Sequence, residues 1–123
     1  MKYLQIIFGL ILILFGLNAL FAFLPLPEKR GFALDFLNSL HQAKYIFPII
    51  GTIMTTTGIL LVLNRWVAFG LILLLPVSFN IFAFHLFHDR EGLVAAWIIF
   101  ALNNFFLIRR REQFKILFNK VVL

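Results

Sequence analysis

Apolar residues in this chain fall into long blocks separated by short polar punctuation. The blocks run from Tyr3 to Leu24, Ile46 to Leu63, Trp66 to Phe87 and Leu93 to Ile108. Each comes close to the length of about 20 residues that an α-helix needs to cross a bilayer. The pattern therefore predicts an all-α, polytopic membrane protein. It is a four-transmembrane-helix bundle with helices at about 3–24, 46–63, 66–87 and 93–108. Pro25 and Pro27 should stop the first helix, because proline cannot continue the hydrogen-bond ladder. Lys2 before an apolar run also suits a signal peptide. The run is too long for one, and Pro25-Leu26-Pro27 is no small-residue cleavage site, so a retained first helix is expected. Pro48 sits in the first turn of the second run, where a missing N–H does no harm. Pro76 lies inside the third run and should kink or loosen it.

Two polar stretches carry a different period. In 28–45, Phe32, Phe36, Leu37 and Leu40 recur at helical spacing, with Asp35, Asn38, Ser39 and Gln42 elsewhere on the wheel. This predicts a short amphipathic helix on the membrane surface; a lid over an opening between the spans is the other reading. In 109–123, Phe114, Leu117, Phe118 and Val121 follow i, i+3, i+4, i+7 amid Arg109, Arg110, Arg111, Lys115 and Lys120. A basic amphipathic tail on an anionic leaflet is expected. One membrane domain, 1–123, accounts for the whole chain.

Composition narrows the class. Hydrophobic residues make up 63% of the 123 and charged ones 13%, and mean hydropathy is +1.02. Soluble domains run nearer 45–50% apolar and about 25% charged. One small core could not hide this much apolar surface. The absence of cysteine removes thiol catalysis, disulfides and thiolate metal sites. The net charge of +6 comes from residues flanking apolar runs, so the partner it indicates is anionic lipid and not nucleic acid. Four spans put Lys2, Arg65, Arg109, Arg110, Arg111, Lys115 and Lys120 on one side. Lys29, Arg30, Lys44 and Arg90 fall on the other. The positive-inside rule then predicts cytoplasmic N and C termini in a multi-pass protein of the cell inner membrane.

Charged residues are missing from the middle of every span, which weighs against a proton-relay chain. Neutral polar residues do lie deep. Asn18, Thr52 and Asn80 each fall on the order of 10 Å below the same outer interface, with Ser78 and Thr55 slightly deeper and His85 shallower. Lipid offers an amide no partner, so Asn18 and Asn80 should face the bundle interior. Asn18, Thr52, Thr55, Ser78, Asn80 and His85 are thus candidates for a polar pocket; interhelical contacts that only hold the bundle together are the competing explanation. Asn80 is expected to bond to Asn18 or Thr52, and His85 to reach the outer loop. His85 and His88 share a helix face beside Asp89 and are weak metal candidates. Ordinary interfacial histidines explain them more simply. Gly9, Gly16, Gly51, Thr55 and Gly58 space small residues for close helix packing. At least one of Asn103 and Asn104 should face a neighbouring helix.

Several segments resemble the DoxX family. They are Phe15-Gly16-Leu17-Asn18, Phe23-Leu24-Pro25-Leu26-Pro27, Asn64-Arg65, Leu73-Leu74-Leu75-Pro76 and Asn80-Ile81-Phe82-Ala83-Phe84-His85-Leu86-Phe87. The Asn-x4-His element on a proline-containing helix is the most specific of them. The resemblance implies a small four-helix inner-membrane protein, and some relatives are subunits of quinone-linked oxidoreductases. Relatives often carry a basic residue where Ala19 stands and an acidic one where Met54 stands. Loss of that pair argues against proton-coupled or catalytic work here. The expected function is a non-catalytic subunit or accessory of a membrane complex, such as a quinone-linked one, or a homo-oligomer. The alternative is a carrier or binder of a small hydrophobic molecule such as quinone or lipid. No encoded redox centre or catalytic constellation is evident, and quinone is the one cofactor that the resemblance suggests.

Overall fold

The computed structural model describes residues 1–23 and 29–118. Its elements are α1 (Lys2–Phe21), α2 (Gly31–Ala43), α3 (Ile46–Leu63), α4 (Val67–His88) and α5 (Leu93–Arg109). Short 3₁₀ segments lie at Arg90–Gly92 and Arg111–Phe118. No strand occurs among the described residues. The predicted helices appear within a few residues of their expected bounds. The expected stop at Pro25 and Pro27 lies outside the described residues, and α1 is already capped by Ala22 in left-handed geometry, φ 51°. Within the stretch expected at 28–45, Gly31–Ala43 forms a helix, α2. The tail is 3₁₀ over Arg111–Phe118, while Lys120 and Val121 lie outside the described residues.

Four helices, α1, α3, α4 and the Arg90–Arg109 segment containing α5, are long and apolar enough to cross a membrane. Only 22–28% of each is buried within the chain. The outward faces carry large apolar side chains such as Ile7, Leu10, Ile59, Phe69, Phe79 and Trp97. Water would penalise that surface; hydrocarbon would not.

The helices pack in the order α1, α3, α4, α5. Phe8 and Phe106 stack at 6.0 Å between ring centres, joining α1 to α5. They share the core with Leu12, Met54, Leu61, Leu71, Leu74 and Ile99. Asn64 and Trp66, both left-handed (φ 55° and 49°), reverse the chain between α3 and α4. α2 lies across the opposite end. Phe36 stacks on Phe84 of α4 at 5.5 Å, and His41 stacks on Phe47 of α3 at 4.1 Å.

The α1–α3 seam is built on glycine. A Cβ on Gly58 would come 2.5 Å from the Gly9 carbonyl oxygen, and one on Gly9 would come 2.7 Å from the Gly58 oxygen. Gly16 and Gly51 repeat the arrangement one heptad along: a Cβ on Gly51 would sit 2.8 Å from the Gly16 oxygen. Backbone lies against backbone, as small residues permit in membrane helices. The close packing expected of these glycines is present.

Candidate functional site

The six candidate pocket residues differ in burial. Ser78 is fully buried. Asn18, Thr55 and His85 are half-buried, and Thr52 and Asn80 are exposed. The bond that Asn80 makes among the described residues goes to neither Asn18 nor Thr52, contrary to expectation. Its Nδ2 donates to the Pro76 carbonyl one turn back on its own helix, at 3.0 Å.

Helical geometry explains the correction. The buried stripe of α4 is Val67, Gly70, Leu71, Leu74 and Ser78, a run at three- and four-residue steps. Asn80 is two residues past Ser78, roughly 200° round the wheel, so the helix cannot bury both. Depth alone had pointed to Asn80; the stripe selects Ser78. On α5 the same logic selects Asn103, which continues the buried series Ala96, Ile99, Asn103 and Phe106.

Ser78 and Asn103 form a buried polar seat. The Ser78 hydroxyl donates to Asn103 Oδ1 at 2.6 Å, with its own helix's Leu75 carbonyl 3.1 Å away as the alternative acceptor. Asn103 Nδ2 donates to the Leu71 carbonyl at 3.1 Å. A second buried bond joins α3 to α4, from the Thr57 hydroxyl to the Gly70 carbonyl at 3.0 Å. Each of these bonds meets a polar need within the chain, as burial requires. Among the described residues Thr55 Oγ1 is the exception, buried with no hydrogen-bond partner. It faces Gly16 at the α1–α3 seam.

Two polar clusters cap the bundle. At the α2 end, Lys29 Nζ lies 2.5 Å from Asp89 Oδ2, and His85 Nδ1 lies 2.9 Å from the same oxygen. His85 thus bonds to Asp89, the residue that caps its own helix. Gly92 makes room for it, since a Cβ there would collide with the imidazole ring. Burial pushes the Asp89 carboxyl up, but the hydrogen bond and charge of Lys29, with His85 behind it, more than offset this. The net shift is below the ordinary value. His88 turns elsewhere and packs on Phe32 of α2, with ring centres 4.5 Å apart. No group of three potential metal ligands occurs among the described residues.

At the other end, Gln5 Nε2 donates to the Leu61 carbonyl at 2.9 Å and to Asn64 Oδ1 at 3.0 Å. Arg110 Nη2 donates to Gln5 Oε1 and to Asn64 Oδ1, both at 3.2 Å. Three segments far apart in sequence meet there. Two open clefts of about 360 Å3 each sit at this end, one beside Trp66, Phe69 and Gln113, the other beside Lys2, Gln5, Asn64 and Arg110. Neither is lined by any of the six candidates.

No protein-family model, no curated protein and no solved structure matches this chain.

Sequence reasoning missed Gln5 and Arg110 as partners. Gln5 is the one amide near the start of α1, and a glutamine in the first turns of an apolar helix is a detectable signal. Its partners depend on tertiary packing.

Proposed function

We propose that this chain is a DoxX-like, four-span protein of the inner membrane, acting as a non-catalytic subunit or accessory of a membrane complex. A quinone-linked redox assembly is the kind that the family resemblance suggests. The family assignment rests on the Asn64-Arg65 and Asn80-x4-His85 elements. The excess of basic residues beside both termini and the 64–65 turn supports cytoplasmic termini.

The observation that carries the subunit reading is Asn80. It lies about two turns inside α4, on the order of 12 Å from the helix end, and is exposed. Among the described residues its amide makes one bond, the Nδ2 donation to Pro76. An amide facing hydrocarbon is unfavourable, and membrane proteins relieve this by hydrogen bonding across helices. A helix of another subunit, or of a second copy, would supply the missing bonds.

The test compares wild type with Asn80→Leu after purification in mild detergent. The expected result is an assembly with wild type that Asn80→Leu dissociates, with the variant's own melting temperature unchanged. Wild type and variant both running as monomers would overturn the subunit reading.

A further inference from the structure

The Lys2–Arg110 end of the bundle presents cations that no carboxylate among the described residues meets, apart from the Lys115–Glu112 pair. Arg110 is half-buried. Its described partners are the neutral oxygens of Gln5 and Asn64, both reached through Nη2. Those amides fix the guanidinium in place without neutralising it, and the fork has further N–H groups to offer. Among the described residues no carboxylate forms an ion pair with Arg110, Lys2, Arg65, Arg109 or Arg111. The one acidic side chain described near this end, Glu112, pairs with Lys115 at 2.8 Å.

The cleft beneath Arg110 is two-faced. Lys2 and Arg110 supply charge, and Gln5 and Asn64 supply amides. Ile6 and Val62, from α1 and α3, supply apolar wall. Its volume is about 360 Å3, room for a phosphate and part of a glycerol. A planar guanidinium held by two hydrogen bonds matches the paired oxygens of a phosphodiester. The apolar wall continues along the outward faces of α1 and α3, where acyl chains would lie. Basic clefts between helices at a membrane surface bind anionic headgroups by this combination.

We infer that the Lys2–Gln5–Asn64–Arg110 cleft is a binding site for one anionic phospholipid, its phosphodiester on Arg110 and Lys2 and its chains along α1 and α3. The inference rests on the membrane reading of the chain and is independent of the subunit reading. A bound lipid would clamp α1, the α3–α4 turn and the end of α5 together, since the cleft draws on all three.

The test uses the full chain purified in detergent and reconstituted in nanodiscs. Failure to incorporate would sink the membrane reading itself and is scored separately. Incorporated protein is then titrated with phosphatidylglycerol, with phosphatidylcholine and with inorganic phosphate, reading the melting temperature and the lipid retained in native mass spectrometry. Phosphatidylglycerol alone should raise the melting temperature and stay bound at one per chain. Arg110→Gln should weaken its binding about tenfold, through loss of a charge-assisted pair. Lys2→Gln, at an exposed position outside the packed core, should weaken it about fivefold, and Lys44→Gln at the opposite end should leave it unchanged. Equal retention of phosphatidylcholine, or unchanged binding by both Arg110→Gln and Lys2→Gln, would overturn the site. An equal response to inorganic phosphate would overturn its assignment to a lipid.

Discussion

The α1–α3 seam and the α4–α5 seam hold their helices together by opposite means. Along α1–α3, Gly9 meets Gly58 and Gly16 meets Gly51 at backbone distance. The one hydroxyl buried there, on Thr55, has no hydrogen-bond partner among the described residues. Along α4–α5 a polar seat bridges the helices, Ser78 to Asn103 to the Leu71 carbonyl. Phe100 of α5 fills the space beside it, stacking on Phe82 at 5.1 Å and meeting Phe79 edge-on at 6.0 Å. In hydrocarbon, apolar surface gives helices no preference for each other over lipid. Close van der Waals contact and hydrogen bonds are what remain. This chain uses one at each seam, and the two should fail differently.

The glycine seam should be the more fragile. At Gly58 the obstacle to a Cβ is the Gly9 backbone, which cannot rotate away as a side chain can, with Ile13 behind it. Gly58→Val should cost about 3 kcal/mol or prevent assembly, read as a collapse of the melting temperature or of the yield of folded protein in detergent. A near-neutral result would mean that the seam is looser than the geometry shows. Asn103→Leu removes the bridge at the other seam. Interhelical bonds in membranes are individually modest, and a loss of about 1–2 kcal/mol is expected. A loss as large as that of Gly58→Val would make the polar seat, and not the glycine contact, the main organiser of the bundle.

Acid should leave both seams alone, because neither contains a titratable group. It should act on the Lys29–Asp89–His85 clasp. The Asp89 carboxyl sits below its ordinary 3.8 in the folded chain. Its contribution is therefore complete above 3.8 and is lost as the pH falls from there through the lowered folded value. A decline of under about 1 kcal/mol is expected in that window, and Asp89→Asn should abolish this dependence on pH. Persistence of the decline in Asp89→Asn would assign it to other carboxylates. Smallest of all is Thr55→Val, which exchanges an unpartnered hydroxyl for a methyl of similar size. It should be neutral or stabilising by about 0.5 kcal/mol. Clear destabilisation would show that the C–H of Gly16, which faces this oxygen, forms a weak hydrogen bond of consequence.

The sequence made some of this legible and hid the rest for a physical reason. Helix number, length and the glycine spacing follow from local pattern, and the bounds of α3 match the expected 46–63. Which polar residue turns inward does not follow from depth. Asn80 and Ser78 lie at almost the same level, and the apolar face of α4 is broad enough to hide its own stripe. Marking Gly70, Leu71 and Leu74 as one face would have placed Ser78 inside and Asn80 outside. The tail shows a different limit. Its i, i+3, i+4, i+7 pattern suits an α-helix, yet Arg111–Phe118 winds as 3₁₀ just beyond α5, whose last carbonyls bond back to the Arg110 amide.

The order of the chain gives the glycine seam a history. Gly9 and Gly16 leave the ribosome well before Gly51 and Gly58, with the 13 residues of α2 and its flanking segments in between. For that interval α1 has no matching partner, and its glycine face is open to other helices inserting nearby. α3 and α4 meet no such delay. The left-handed turn at Asn64 and Trp66 brings them in as a hairpin, with the Thr57–Gly70 bond able to close as soon as both have emerged. The glycine seam therefore closes only after an interval in which α1 waits for α3, whereas α3 and α4 can close theirs without one.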